Sequence, residues 1–255
     1  MTPVEVAFTV DGPEDAPPVV LSNSLGSTPT MWDPQLPALL ERLRVVRYDH
    51  RGHGASPVPP GPYELDDLGA DVLALLDRLG FERVHWCGLS LGGMVGMWMA
   101  IHAPERIDRL VLCCTSAKLG PPETWADRAA TVREHGVDAV ADAGIERWLS
   151  PAFLDRQPEI AARVRAMLAS TPAEGYAACC GVIERMDQTA RLGEIRAPTL
   201  VIAGADDPAT PPEHGARIAD AVPGARLEIV AGARHLATIE RPQAMTDLIL
   251  GHLAP

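Results

Sequence analysis

A chain of 255 residues, 47% of them hydrophobic and 22% charged, is long enough to bury a full core as one domain, with or without an insertion. Its charged fraction is that of a globular protein rather than a disordered one. The formal net charge of −12 removes any electrostatic basis for gripping nucleic-acid phosphates or an anionic membrane.

In chain order, the opening stretch MTPVEVAFTVDGPED lacks a basic region followed by an apolar run, so no signal peptide is expected. Val4–Val10 alternates as an edge strand would, and 18–23 (PVVLSN) and 43–48 (LRVVRY) follow as strands. Residues 49–60 (DHRGHGASPVPP) form a loop by their Gly and Pro content. Apolar residues at Leu65, Leu68, Val72, Leu75, Leu76 and Leu79 keep a helical period, which Gly80 stops. Strands are expected at 84–87, 107–114, 199–203 and 226–230, and helices at 91–103, 211–221 and 242–253. This strand–helix alternation predicts an α/β fold with a mostly parallel sheet flanked by helices. The region 120–191 breaks the rhythm with helical patterns and no strand. The expected division is a core of 1–119 with 192–255 and a helical cap of 120–191. The cysteines Cys87, Cys113, Cys114, Cys179 and Cys180 are odd in number and form no C-x-x-C pair. They read as small buried hydrophobes in a reducing compartment. No run of about 18 uncharged apolar residues exists, so no membrane span is expected and the protein is read as soluble and cytoplasmic.

The chemistry-bearing signal is Gly88-Leu89-Ser90-Leu91-Gly92, which follows the strand VHWC and opens the helical run LGGMVGMWMA. A serine on a tight strand-to-helix turn presents its hydroxyl, and the flanking glycines avoid collision with the neighbouring strand and helix. A serine hydroxyl needs a base to act as a nucleophile. His235, in a loop just after the strand RLEIV, sits where the active sites of such sheets assemble. His50 and His53 read as parts of a structural turn. The remaining five histidines fall in helices, a strand or the insertion. The acid that fixes the imidazole tautomer is sought in TLVIAGADDPATPP, where Asp207 is the choice and Asp206 its rival. The chain order Ser, Asp, His is the one expected for this arrangement. An oxyanion hole takes the backbone N–H of Leu91 and one from the loop after VVLSN, where Leu25 is the candidate donor.

Five stretches together (LSNSLGSTPTMWDPQ, YDHRGHGASPVPPGPYELDDLGADVLALLDRLG, HWCGLSLGGMVGMWMA, TLVIAGADDPATPP and ARHLATIERP) resemble the 3-oxoadipate enol-lactonase family of α/β-hydrolases. The resemblance extends into the insertion through TWADRAATVREHG and ERWLSPAF. It implies Ser90 as nucleophile, Asp207 as acid and His235 as base. It also implies hydrolysis of a small enol-lactone that bears a free carboxylate to 3-oxoadipate in aromatic catabolism. No cofactor and no metal is implied, and the sequence offers no metal-ligand cluster. A carboxylate substrate meets a protein of −12, so a local cation must act at short range, and arginine suits a carboxylate best. Trp125 and Arg128, three apart on one helix face, and the neighbours Arg147 and Trp148 are the candidates. Arg128, or failing that Arg147, would hold the carboxylate, with the two tryptophans excluding water.

Overall fold

The computed structural model describes residues 2–254. The strands β1 (Phe8–Asp11), β2 (Pro18–Ser22), β3 (Arg44–Tyr48), β4 (Val84–Leu89), β5 (Ile107–Cys113), β6 (Thr199–Gly204) and β7 (Arg226–Val230) form one sheet in the order β1-β3-β2-β4-β5-β6-β7. β1 runs antiparallel to β3 and every other pairing is parallel. β4 and β6 are buried along their whole length, as strands covered on both faces must be, and both are mostly apolar rather than alternating. The first strand is shorter than the alternation of Val4–Val10 predicts. Residues ahead of Phe8 spend their amides on side chains instead of a ladder: Val4 N–H donates to Asp71 Oδ1 (2.7 Å) and Ala7 N–H to Ser56 Oγ (2.9 Å).

The helices in chain order are α1 (Leu36–Leu39), α2 (Leu65–Leu79), α3 (Leu91–His102), α4 (Pro122–His135), α5 (Asp138–Trp148), α6 (Pro151–Arg156), α7 (Pro158–Ala169), α8 (Ala173–Arg185), α9 (Pro212–Ala221), α10 (Ala237–Glu240) and α11 (Pro242–Leu253). α2 starts on a reciprocal cap in which Asp67 Oδ2 accepts the Glu64 N–H (2.9 Å), and it ends at Gly80 in the left-handed conformation (φ 70°). α3 is apolar all round and is buried from Leu91 to Ile101, the pattern of a central helix with no solvent face. None of the described helices is long and apolar enough to cross a membrane. All five cysteines are buried free thiols.

Sheet order fixes where a site can form. The chain moves from β2 to β3 on one side and then returns to β4 on the other side of β2. The carboxyl ends of β2 and β4 therefore lie side by side, with Ser22 in register with Gly88, and the loops that follow them diverge. Such a switch point is where open α/β sheets bind ligands. Over it lies the segment α4 to α8, called the cap below, which contains no strand. The cap is fastened at two places. On one side Gly175 packs against Gly52, where a Cβ on either would meet the other's backbone within 2.5 Å, and Arg185 pairs with Glu64 (2.9 Å). On the other side Leu236 N–H donates to Trp148 O (3.0 Å).

Candidate active site

Ser90 occupies the turn between β4 and α3 with φ 56° and ψ −114°, a conformation a non-glycine residue holds only when its surroundings force it. Close packing supplies that force. A Cβ on Gly88 would come within 2.1 Å of Gly92 O, and one on Gly92 within 2.2 Å of Ser22 O. Only glycine at both positions lets the turn close. Trp86, fully buried in β4, donates its indole N–H to Gly92 O (3.0 Å), and Thr115 Oγ1 donates to Ser90 O (2.7 Å).

The acid and the imidazole arrive from the ends of β6 and β7. His235 Nδ1–H donates to Asp207 Oδ2 (2.8 Å), and both side chains are almost wholly buried. Asp207 is further held by Thr210, whose Oγ1 donates to Oδ2 (2.7 Å) and whose N–H donates to Oδ1 (3.1 Å), and by the Ala209 N–H (2.8 Å). Burial works against charge on Asp207. The positive side of His235 and these hydrogen bonds outweigh it and keep the carboxyl below its ordinary range. Asp206 is exposed and its backbone N–H goes to Ala233 O (3.0 Å). Of the two adjacent acids, Asp207 is thus the one brought to the imidazole.

Among the described residues, two backbone donors around the turn remain free for a reason visible in the chain. Around Ser90, the Ser90 N–H goes to Cys113 O (2.9 Å) and the Gly92 N–H to Asn23 O (2.9 Å). In the loop after β2, the Ser24 N–H goes to Met31 Sδ (3.4 Å) and the Gly26 N–H to His53 Nε2 (2.9 Å). The amides between them, Leu91 and Leu25, have no acceptor among the described residues. Two unused N–H groups on neighbouring strand ends, one at the first turn of a helix, suit a developing oxyanion.

Ser90, His235, Leu25 and Ser24 line one cavity of about 270 Å³ together with Trp125, Arg128, Arg147, Trp148 and Tyr176 from the cap. All four cap residues named from the sequence therefore reach the site. Arg128 stacks on Trp125, with Cζ 4.7 Å from the ring centroid, while the Trp125 indole N–H donates to Leu119 O (3.1 Å). Arg147 and Trp148 are not a second stacked pair: no ring contact joins them among the described residues, because neighbours on a helix point in different directions. Neither Arg128 nor Arg147 has a carboxylate at ion-pairing distance among the described residues. Burial, then the charge of Arg128, make Arg147 a weaker base than usual. Burial pushes the Tyr176 phenol up to about 12.

Three contributors were not singled out in the sequence. Thr210 lies three after Asp207, the spacing at which a side chain closes a local turn onto an aspartate. Tyr176 carried no signal. Glu240, buried, takes the Arg234 N–H (2.7 Å) on Oε2 and the Ser150 N–H (3.1 Å) and hydroxyl on Oε1. One carboxylate thereby ties the histidine loop to the cap. Arg234, next to His235, donates to Glu146 O and so makes a second such tie. Among the described residues no group of three or more His, Cys, Asp or Glu is placed to hold a metal ion.

Residues 17–242 match the family model described as alpha/beta hydrolase fold. The chain is 40% identical to 3-oxoadipate enol-lactonase 2 of Acinetobacter baylyi over 96% of its own length and 92% of that protein. It is 32% identical to a relative of Caulobacter segnis named as a carbamate hydrolase, over 92% of this chain and 90% of that one. Among solved structures it superposes on the enol-lactonase from Burkholderia xenovorans with a TM-score of 0.97 and 41% identity, covering 99% of this chain and 97% of the other. The protein is a hydrolase acting on ester bonds, and the chain belongs to the 3-oxoadipate enol-lactonase family of α/β hydrolases.

Proposed function

We propose that this protein hydrolyses 3-oxoadipate enol-lactone, a small lactone bearing one carboxylate, through an acyl-enzyme on Ser90. The observation that carries the substrate reading is the pair of arginines without carboxylate partners, Arg128 and Arg147, in the same cavity as Ser90 and His235. Two cations in a half-buried cavity, in a protein of net charge −12, call for a negative ligand group. The division of labour is part of the proposal: the core, 1–119 with 192–255, supplies the chemistry, and the cap, 120–191, supplies the binding.

His235 takes the hydroxyl proton on Nε2 while Ser90 Oγ attacks the lactone carbonyl. Asp207 holds the ring so that Nε2 faces the cavity and steadies the imidazolium that forms. The N–H groups of Leu25 and Leu91 donate hydrogen bonds to the carbonyl oxygen as negative charge develops on it. When the ring C–O bond breaks, the leaving enolate oxygen receives the proton from His235 to give an enol, which becomes a ketone as carbon gains a proton and the oxygen loses one. That tautomerisation removes the nucleophile that could close the ring again. In a lactone the leaving group stays tethered to the acyl group, so the open chain remains in the cavity while water, deprotonated by His235, attacks the ester. The carboxylate on the tether never leaves the arginines between the two steps.

The test is turnover of freshly generated enol-lactone, followed by loss of its ultraviolet absorbance, beside a neutral p-nitrophenyl ester and a small carbamate. The expected result is a kcat/KM for the charged lactone on the order of 100-fold or more above the neutral ester, the size a charge-assisted contact gives. Equal rates on charged and neutral esters would replace this reading with a general esterase. Preference for the carbamate would move it toward the activity named for the Caulobacter relative.

A further inference from the structure

The loop 49–56 after β3 carries two histidines buried beneath the site, and the mechanism above uses neither. His53 is fully buried, and its Nε2 accepts the Gly26 N–H at 2.9 Å. An amide N–H can only donate, so the ring is neutral with its proton on Nδ1, and that proton points at Arg51 O (3.3 Å). His50, also buried, is in the opposite tautomer. Its Nε2–H donates to Asn23 O (3.0 Å) and its Nδ1 faces the Tyr48 hydroxyl (3.3 Å). Asn23 O also accepts the Gly92 N–H. The two rings, 6.2 Å apart and edge to face, thus hold the two ends of the segment Asn23–Gly26.

The loop that carries the histidines is itself rigid. Arg51, with no exposed side chain, forks onto Asp71 of α2 with two contacts of 2.6 Å, and Ser56 Oγ donates to Asp49 O (2.7 Å). The segment that they hold is closed by a turn, with Ser27 N–H on Ser24 O (3.2 Å), which fixes its ends but not the Leu25–Gly26 peptide at its centre. Gly26 sits at φ 73°, and glycine leaves the peptide on either side of it free to rotate. With no acceptor for the Gly26 N–H, that buried donor would be unsatisfied. The Leu25–Gly26 peptide would then turn to find another partner, and the rotation at Leu25 that this requires would disturb the turn in which the neighbouring Ser24–Leu25 peptide holds the Leu25 N–H.

We propose that His53 is a positioning residue for acyl transfer: by accepting the Gly26 N–H it fixes the peptide after Leu25 and leaves the Leu25 N–H aimed at the reacting carbonyl. His50 fixes the other end through Asn23 O. The role rests on the acyl-transfer reading above, in which Leu25 and Leu91 are the oxyanion donors. Such a residue touches no substrate. Its loss therefore changes the rate of charge development and leaves ground-state binding alone.

Three replacements of His53 in the full-length protein test this. His53→Leu removes the acceptor. His53→Asn keeps a polar group but stops short of Gly26. In His53→Gln the amide oxygen can reach the place of Nε2. Each is assayed on a neutral p-nitrophenyl ester, and each is titrated with an alkyl boronic acid, whose tetrahedral adduct on serine occupies the oxyanion position. For Leu and Asn the expected result is kcat lower by about 30-fold, KM within about twofold, and boronate affinity reduced by a factor similar to the loss in kcat. Gln should recover to within about fivefold of the parent. If His53→Leu does not fold, the comparison of Asn with Gln carries the test alone. Folded Leu or Asn variants with unchanged kcat would overturn the role, and so would a loss of rate that Gln does not restore. A parallel Ser90→Ala separates the two readings. Retained activity there would remove the acyl-transfer reading itself, whereas an inactive Ser90→Ala beside an unaffected His53→Asn would remove only the positioning role.

Discussion

The two halves of the cavity are built on opposite plans. The core half consists of strand ends: Ser90 after β4, Asp207 after β6, His235 after β7 and Leu25 after β2. The acid and the imidazole there have their directions set by bonds that can be named, such as Asp207 to His235 at 2.8 Å, and the tight turn around Ser90 sets the serine's. The cap half consists of helix faces that lay Trp125, Arg128, Arg147, Trp148 and Tyr176 over the opening, and its two cations are left without carboxylate partners. Reacting groups gain from being fixed before the substrate arrives, because a tolerance of a fraction of an ångström decides the rate. Binding groups gain from being unsatisfied until it arrives, because a cation already paired has little left to offer an incoming carboxylate. Substitutions in the core half should therefore act on kcat, and those in the cap half on KM.

The sharpest break in this comparison is Ser90→Ala. It should lower kcat by on the order of 10⁵–10⁶ and leave substrate affinity nearly intact, with only binding and the oxyanion amides still at work. Steady-state kinetics on either ester, with binding of the uncleaved substrate followed separately, would show it. A residual rate within about tenfold of the parent means that another nucleophile acts.

Next in size is the pair of adjacent acids. Asp207→Asn should cost roughly 10⁴ in rate, because an amide in its place can favour the wrong imidazole tautomer. Asp206→Asn, on an exposed side chain that makes no contact with the site, should stay within about threefold. The reverse ranking would reassign the acid. Between the two, KM should barely move, which is the signature expected of the core half.

The places of these residues at strand ends were legible in the sequence because local pattern and topology agree there. Gly88-Leu89-Ser90-Leu91-Gly92 lies between a strand and a helix, and the strands before Asp207 and His235 are short apolar runs with loops after them. The helix α2 and the strand β7 have the bounds their patterns predict, since Gly80 and the turn residues mark their ends. Less was legible where the partner is distant in sequence. The alternation at Val4–Val10 is real, but Asp71 and Ser56 claim its first amides, and no local pattern announces that. Glu240 reads as one more charge near a helix end. Only the fold brings it to Ser150 and to Arg234, 90 and 6 residues away along the chain. His53 reads as part of a Gly-rich turn until Gly26, 27 residues earlier, is seen against its ring. In the cap, the helical period announced that Trp125 and Arg128 share a face, but adjacency in sequence gave no warning that Arg147 and Trp148 do not stack.

A smaller effect, on the other constant, is expected in the cap. Arg128→Ala with Arg147→Ala should raise KM for the charged lactone by about 100-fold and change a neutral ester by no more than about threefold. A charge-assisted hydrogen bond in a half-buried site is worth about 1.5–3 kcal/mol, and two arginines flank one carboxylate. Arg128→Ala also releases the face of Trp125, so the single variants need not contribute equally. A double variant that weakens both substrates alike would mean that the arginines shape the cavity rather than read the charge.

The smallest effect concerns stability, and it assigns the buried acid-sensitive histidines to the core half. Burial is the leading cause that lowers His50 to about 3 and His53 to about 4, and both rings must stay unprotonated on the nitrogen that accepts. Their folded values lie below the ordinary 6.5, so neutral histidine favours the fold. The stabilisation is full above pH 6.5 and is lost as the pH falls through 6.5 toward 4 and 3. At pH 5 the unfolded chain has taken up both protons while the folded chain has taken up almost none, a loss of about 2 kcal/mol for each ring. Asp67 and Asp207 are held below their ordinary range and act at still lower pH, outside this window. Asp49, raised by burial, works in the opposite sense. The cap contributes no buried histidine, since its His135 is exposed. Urea unfolding at pH 7.5 and pH 5.0 measures the difference without relying on activity. The parent protein should lose several kcal/mol between the two conditions, and a folded His53→Gln variant should lose about 2 kcal/mol less. Equal losses in the two proteins would mean that His53 takes up its proton in the folded state without cost, and the hydrogen bond to Gly26 would then not depend on a neutral ring.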